Sequence, residues 1–131
     1  MSLWQRRLAQ RWGRHSEALA AWVLRFKGYR ILARQYRVPV GEIDIIARRG
    51  RLVAMIEVKA RADWRDAAAA ISPRQRRRIA NAARAFLAAH PDVAAHAIRF
   101  DVMLVAPWRW PRHWPGAWIE EVPGSNGRLM E

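Results

Sequence analysis

Gly41 to Arg61 reads GEIDIIARRGRLVAMIEVKAR, with apolar runs from Ile43 to Ala47 and from Leu52 to Val58 on either side of Arg49-Gly50-Arg51. Short apolar runs parted by a glycine-containing turn predict a β-hairpin. Three charges interrupt strands that otherwise look buried: Asp44, Glu57 and Lys59. With Gly50-Arg51 as a two-residue loop, Arg49 pairs with Leu52, and counting back along the hairpin sets Asp44 opposite Glu57. Directly opposed side chains lie about 4.5–5.5 Å apart at Cβ, where like charges repel. Alternation puts Glu57 and Lys59 on one face, next to Asp44; the group is expected near one sheet edge. A hard divalent cation held by both carboxylates would remove the repulsion, and the lysine could orient a water or an anion. The alternative is a solvated charge cluster at the open end of the hairpin. A slip of one residue in the turn would carry Asp44 to the other side of the sheet.

The rest of the composition narrows the partners. A chain of 131 residues, 52% hydrophobic and 27% charged, is expected to form one domain around a buried core rather than a disordered chain. No apolar run approaches the roughly 18 residues of a membrane span, and no charged-then-apolar leader is visible. The expectation is a cytoplasmic protein with no membrane association. The absence of cysteine leaves oxygen and imidazole as the available metal ligands. A net charge of +13 favours a polyanionic partner, most simply nucleic acid, with anionic lipid as the rival. Lysine occurs only at Lys27 and Lys59, which makes Lys59 conspicuous.

Residues 3 to 12 read as a short basic helix leading into Gly13. Ser16 to Phe26 reads as a second helix with Leu19, Trp22, Val23 and Phe26 as its apolar stripe and Gly28 at its stop. Helical phase puts Glu17 on the other side, beside Ala20, Ala21 and Leu24; periodicity does not aim it at a site. Tyr29 to Arg37 is the next expected strand, closed by Pro39. Ser72 to Ala89 is the best-marked helix: Ser72 as N-cap, Pro73 first in the helix, Gln75 completing a capping box, and Ile79, Ala82, Ala83, Phe86 and Leu87 as the buried stripe. Arg74, Arg76, Arg77 and Arg78 crowd its positive end. That is unfavourable by a few tenths to about 1 kcal/mol each, so either phosphate lies nearby or the arginines form a solvated face. Ala97 to Val105 is another apolar strand, in which Asp101 suits a structural ion pair better than a ligand. The tail, with prolines at 107, 111 and 115, fits neither a helix nor a central strand. Its four tryptophans either pack over the core or stack on bases. Trp118 to Val122 could form a short edge strand. The expected organisation is one domain over 1–123, with 124–131 fraying.

The order helix, strand, hairpin, helix, strand, with D-x12-E-x-K across the hairpin, resembles the core of the PD-(D/E)xK nuclease superfamily. More closely, the chain resembles the YraN-type uncharacterised family, which is similar in its core to Holliday-junction resolvases. The segments that carry the likeness are GRHSEALAAWVL (13–24), GYRILARQYR (28–37), GEIDIIA (41–47), MIEVKAR (55–61), AISPRQRRRIANAARAFL (70–87) and RFDVMLV (99–105). The chain differs from the family pattern in Gln75, where lysine is usual, in DWRDAAAA (63–70), and in its tryptophan-rich tail. The resemblance implies an α/β, restriction-endonuclease-like three-layer core: a central mixed sheet flanked by helices. It also implies a Mg²⁺- or Mn²⁺-dependent DNA endonuclease selective for branched DNA. Asp44 and Glu57 would be metal ligands, Lys59 a catalytic residue on the water or the scissile phosphate, and Glu17 a further acidic residue near the metal. Arg74, Gln75, Arg76, Arg77 and Arg78 would meet the phosphate backbone. A homodimer would suit two-fold junctions. The alternative function is a non-catalytic nucleic-acid-binding accessory of recombination or repair.

Overall fold

The hairpin forms in the expected register. In the computed structural model, which describes residues 2–60, 68–120, 122, 129 and 130 (backbone alone at 5–12, 68, 129 and 130), β2 (Gly41–Arg49) and β3 (Leu52–Ala60) pair antiparallel with Arg49 opposite Leu52. Gly50 takes a φ of 61° at the turn, a conformation that glycine adopts without a Cβ penalty. On the outer side of β2 lies β1 (Arg30–Val38), antiparallel; on the far side of β3 lies β4 (Ala97–Val105), parallel. A parallel neighbour needs a crossover, and α2 (Pro73–Ala89) supplies it. The sheet order is β1-β2-β3-β4-β5, with β5 (Arg112–Trp118) antiparallel to β4. The Asp44/Glu57 group therefore lies within two interior strands, just past the last β2–β3 pair, and not near a sheet edge. As expected the tail forms no helix or central strand, but the edge strand it adds is Arg112–Trp118 rather than Trp118 to Val122. Pro115 is tolerated there because an edge strand has one unpaired side. Of the segment expected to fray, Leu129–Met130 (β6) pairs parallel with Ile98 and Arg99 of β4; residues 123–128 and 131 lie outside the described residues.

Two cores sandwich the sheet, giving three layers. Ile79, Ala82, Ala83, Phe86 and Leu87 of α2 pack on Ile46, Met55, Phe100 and Val102. The cap is as read from sequence: the Gln75 amide donates to Ser72 Oγ and the Ser72 amide to Gln75 Oε1. On the opposite face α1 (Leu3–Phe26) packs on Ile45, Ala54, Ile56 and Met103. Here two expectations fail. Gly13 does not divide the helix, because one mid-helix glycine costs only about 1 kcal/mol and the following turns are anchored on the sheet. The buried face is Ala20, Ala21, Val23 and Leu24, whereas Trp22 and Phe26 are exposed. Small side chains let the helix lie close against the sheet, and that closeness leaves no room for aromatic rings inside. The helix ends as predicted at Gly28 (φ 90°), with the Gly28 amide bonded to Arg25 O and the Tyr29 amide to Leu24 O, a Schellman closure. Among the described residues no helix is long and apolar enough to cross a membrane.

Gly41 fixes the distance between β2 and α2. A Cβ there would lie 1.8 Å from the Arg78 carbonyl oxygen and 2.6 Å from its carbon. Backbone cannot rotate away as a side chain can, so Gly41→Ala should push helix and strand apart. A loss of about 2–3 kcal/mol is expected, read as a lower urea midpoint. An unchanged midpoint would show that the two backbones are not in contact.

Candidate active site

Asp44 sits where β2 loses its alternation. Ile43 and Ile46 both enter the core under α2, while Ile45 and Ala47 enter the core under α1, so the period of two breaks across Asp44. The neighbouring strand is irregular at the same level. Gln35, between the Arg34–Ile45 and Tyr36–Ile43 pairs, has a φ of 49°. This left-handed region costs a non-glycine residue about 1 kcal/mol or more. Regular β2–β3 pairing stops at Ile45–Ile56. Just beyond, the Val58 amide donates to Asp44 Oδ2 at 2.8 Å: a carboxylate has taken the place of the ladder's carbonyl. The strands part, and a cavity of about 480 Å³ opens, lined by Asp44, Glu57 and Val58 of the hairpin, Gln35 and Arg37 of β1, and Gly13, Arg14 and Glu17 of α1.

The three acidic residues are thus brought to one cleft. Glu17 is 5% exposed, and its carboxylate accepts from Arg34 Nε and Gln35 Nε2, each at 3.2 Å. The strained Gln35 therefore serves to fix Glu17. Gly13, one turn earlier on α1, keeps that part of the cleft free of a side chain. Lys59 is half-buried two residues beyond Glu57 on β3, but it is not among the cleft-lining residues. Burial pushes Glu57 up to about 9, helped by a hydrogen bond to Asp44 and by the Asp44 charge, with Lys59 pulling the other way. The pair therefore holds a proton at neutral pH.

Among the described residues no group of three histidine, aspartate or glutamate side chains is close enough to hold a metal ion. Glu17 stands off, and the opposed carboxylates of Asp44 and Glu57 are the candidate direct donors. Two carboxylates with space for water fit Mg²⁺, which is reluctant to shed its hydration shell and needs few protein ligands.

The retained proton has a measurable consequence. Glu57 releases it near the ordinary carboxylate range when unfolded and only near 9 when folded. Its contribution to stability is therefore complete below the unfolded value and is lost as pH rises towards 9. Glu57→Gln keeps a hydrogen-bond donor towards Asp44 and removes the titration. In the absence of metal it should be the more stable protein at pH 8, by about 2 kcal/mol or more, and it should lose this advantage near pH 4. Parallel melting curves across that range would contradict the shared proton.

The arginine run is divided. Arg78 Nη2 and Nε donate to Glu42 Oε2 at 2.8 and 3.1 Å, which holds the Glu42 carboxyl below its usual range chiefly through that hydrogen bond. Arg76 donates to Ile71 O and lies over the Trp118 ring. Gln75 is used in the cap. Arg74 and Arg77 project from an exposed surface. Asp101 is structural, as its sequence context suggested. Fully buried, it accepts from Arg99 Nε and Nη2 at 2.7 and 2.8 Å, from His113 Nε2 at 2.7 Å and from the Gly116 amide at 3.0 Å. Gln35, Arg14 and Arg37 on the cleft walls, and Arg34 beside Glu17, carry no signal in the sequence. No periodicity marks a residue that lines a cleft because two strands kink.

These features describe an α/β protein whose mixed sheet opens, at the ends of its central hairpin, into a cleft of acidic and basic groups. Residues 16–105 match the model of the uncharacterised protein family UPF0102, and the chain belongs to that family. It is 56% identical over 109 residues to a UPF0102 protein of Bradyrhizobium diazoefficiens, covering 83% of this chain and 82% of that one. A UPF0102 protein of Paramagnetospirillum magneticum is 53% identical over 114 residues (84% and 88%), and one of Parvibaculum lavamentivorans 50% over 110 (84% and 83%).

Proposed function

We propose that this protein is a divalent-metal-dependent DNA endonuclease, acting in the cytoplasm with branched DNA as its substrate class. The observation that carries this reading is the meeting of Asp44 and Glu57 at the point where the β2–β3 ladder ends, in a cleft that also takes in Glu17. Lys59 follows in the order of the PD-(D/E)xK nucleases that the sequence resembles. Asp44 and Glu57 would hold Mg²⁺ or Mn²⁺, which when bound lowers the pKa of water and offsets charge building on the phosphate oxygens.

The chain's own groups do the rest. Hydrolysis adds a water oxygen to phosphorus, breaks one P–O ester bond and leaves the departing alkoxide to take up a proton. The Lys59 ammonium would orient that water or balance a non-bridging oxygen. Arg14 and Arg37, on the walls of the cleft, would draw in the scissile phosphate, and phosphate contact gives affinity without base readout. Arg34 and Gln35 hold Glu17 in place beside them. The exposed Arg74 and Arg77 would extend the phosphate contact along the duplex, while Arg78, paired with Glu42, positions α2 against β2. The test is a cleavage assay with Mg²⁺ or Mn²⁺ on linear, flapped and four-way substrates, wild type against Lys59→Ala. The net charge of +13 also suits a binding protein without catalysis. That second reading predicts salt-dependent binding and intact substrates in every lane.

A further inference from the structure

We propose that the loop following β4 is a stacking site for unpaired nucleobases, so that a single-stranded segment is held next to the acidic cleft. This rests on the nucleic-acid reading of that cleft and assigns to it a class of substrate structure. The starting observation is a division among the tail's tryptophans. Trp118 is buried and Trp114 packs against the core under α2. Trp108 and Trp110, by contrast, are 102% and 75% exposed. Solvation of two neighbouring indoles is unfavourable, and Trp108 is also held at a φ of 62°, where a bulky residue is rarely found. Together with His15, Leu19 and Pro107, they border an apolar hollow of about 390 Å³, with Arg109 between them in sequence and on its wall.

Position links this hollow to the cleft. Strands β3 and β4 run parallel and in step, Lys59 beside Leu104 and Ala60 beside Val105. The tryptophan loop therefore leaves the sheet at the end where Glu57 and Val58 border the cleft. Helix α1 contributes to both: Gly13, Arg14 and Glu17 to the cleft, His15 and Leu19 to the hollow. A strand whose phosphates cross Arg14 would bring a neighbouring base over the indoles. Aromatic faces interleaved with arginines provide what a splayed, unpaired base needs: a stacking surface and a counter-charge for its phosphate. A base inside a duplex is already stacked and has nothing to gain there.

The experiment measures binding in EDTA, where metal-dependent cleavage is silent. Fluorescence anisotropy would compare a labelled single strand with the corresponding duplex, for wild type and for Trp108→Ala/Trp110→Ala. The double variant should lose single-strand affinity at least tenfold and duplex affinity less than twofold. It should also abolish the quenching of a 2-aminopurine placed in the strand. Trp108→Phe/Trp110→Phe should retain single-strand affinity within about threefold, which separates stacking from misfolding. Equal losses on both substrates, no loss on either, or no single-strand binding by wild type would overturn the proposal. So would tryptophan-dependent binding to phosphatidylglycerol vesicles with single-strand affinity unchanged. Failure to cleave any DNA would leave the stacking result standing, and cleavage by a variant with normal single-strand affinity would remove the stacking site alone.

Discussion

Lys59→Ala and Glu57→Ala should each reduce Mg²⁺-dependent cleavage by about a thousandfold or more, while DNA affinity at fixed salt changes by less than about threefold. The two losses have different origins. Removing Glu57 leaves Asp44 as the one carboxylate at the ladder's end and, on the proposed reading, should weaken metal retention; excess Mn²⁺ should then recover part of the rate. On the same reading, removing Lys59 takes away a positive charge that would act in the transition state, and no concentration of metal should replace it. Binding should persist because Arg14 and Arg37 on the cleft walls, with Arg74 and Arg77 on α2, remain in place. Activity undiminished in both variants would eliminate this site as the place of chemistry, whatever the protein does elsewhere.

Asp101→Ala should have the largest effect on stability, about 3–5 kcal/mol, or a melting temperature lower by roughly 10–20 °C. Its carboxylate is the one acceptor shared by Arg99, His113 and the Gly116 amide. Truncation would leave a guanidinium that is 8% exposed facing no anion, in an interior where such a charge is strongly disfavoured. Burial alone would push the Asp101 carboxyl up; the Arg99 and His113 hydrogen bonds outweigh it and hold the group below its ordinary value. The stabilisation is therefore present above the unfolded carboxylate range and is lost as pH falls through the folded value. Wild type should lose stability on the acid side, and the variant should lack that limb. Arg99→Met/Asp101→Leu, which removes both charges, should recover much of the loss. A melting temperature unchanged in Asp101→Ala would contradict the network.

Much of this architecture was legible from local chemistry. Ser72, Pro73 and Gln75 specify a helix start whatever surrounds them, and Gly28 specifies an end. The Gly50 turn fixes the hairpin register, which in turn sets Asp44 against Glu57. The failures lie where neighbours decide. Nothing in the order of residues 16–26 says that α1 lies so close to the sheet that alanines go inside and Trp22 and Phe26 outside. The prolines of the tail argued against a central strand, which it is not, but nothing in them marked Arg112–Trp118 as an edge strand; the Asp101 carboxylate accepts from His113 and the Gly116 amide and anchors β5 beside β4. In the cleft, the opposed acids could be read, whereas the kink at Gln35 and Asp44 that makes room for them could not. It arises from two strands bending together, and neither strand alone carries a mark of it.

The two margins of the sheet are unlike its interior in what they can accept. On one, β5 carries Pro115, which has no N–H, and spends the Gly116 N–H on Asp101. On the other, β1 is bent by a bulge after Ile31 and lined with Arg30, Arg34 and Arg37. A foreign segment laid along either margin would find a broken row of donors or a file of like charges. Addition of a strand from a second copy along β1 or β5 is therefore disfavoured, and an edge-to-edge ribbon of copies is not expected.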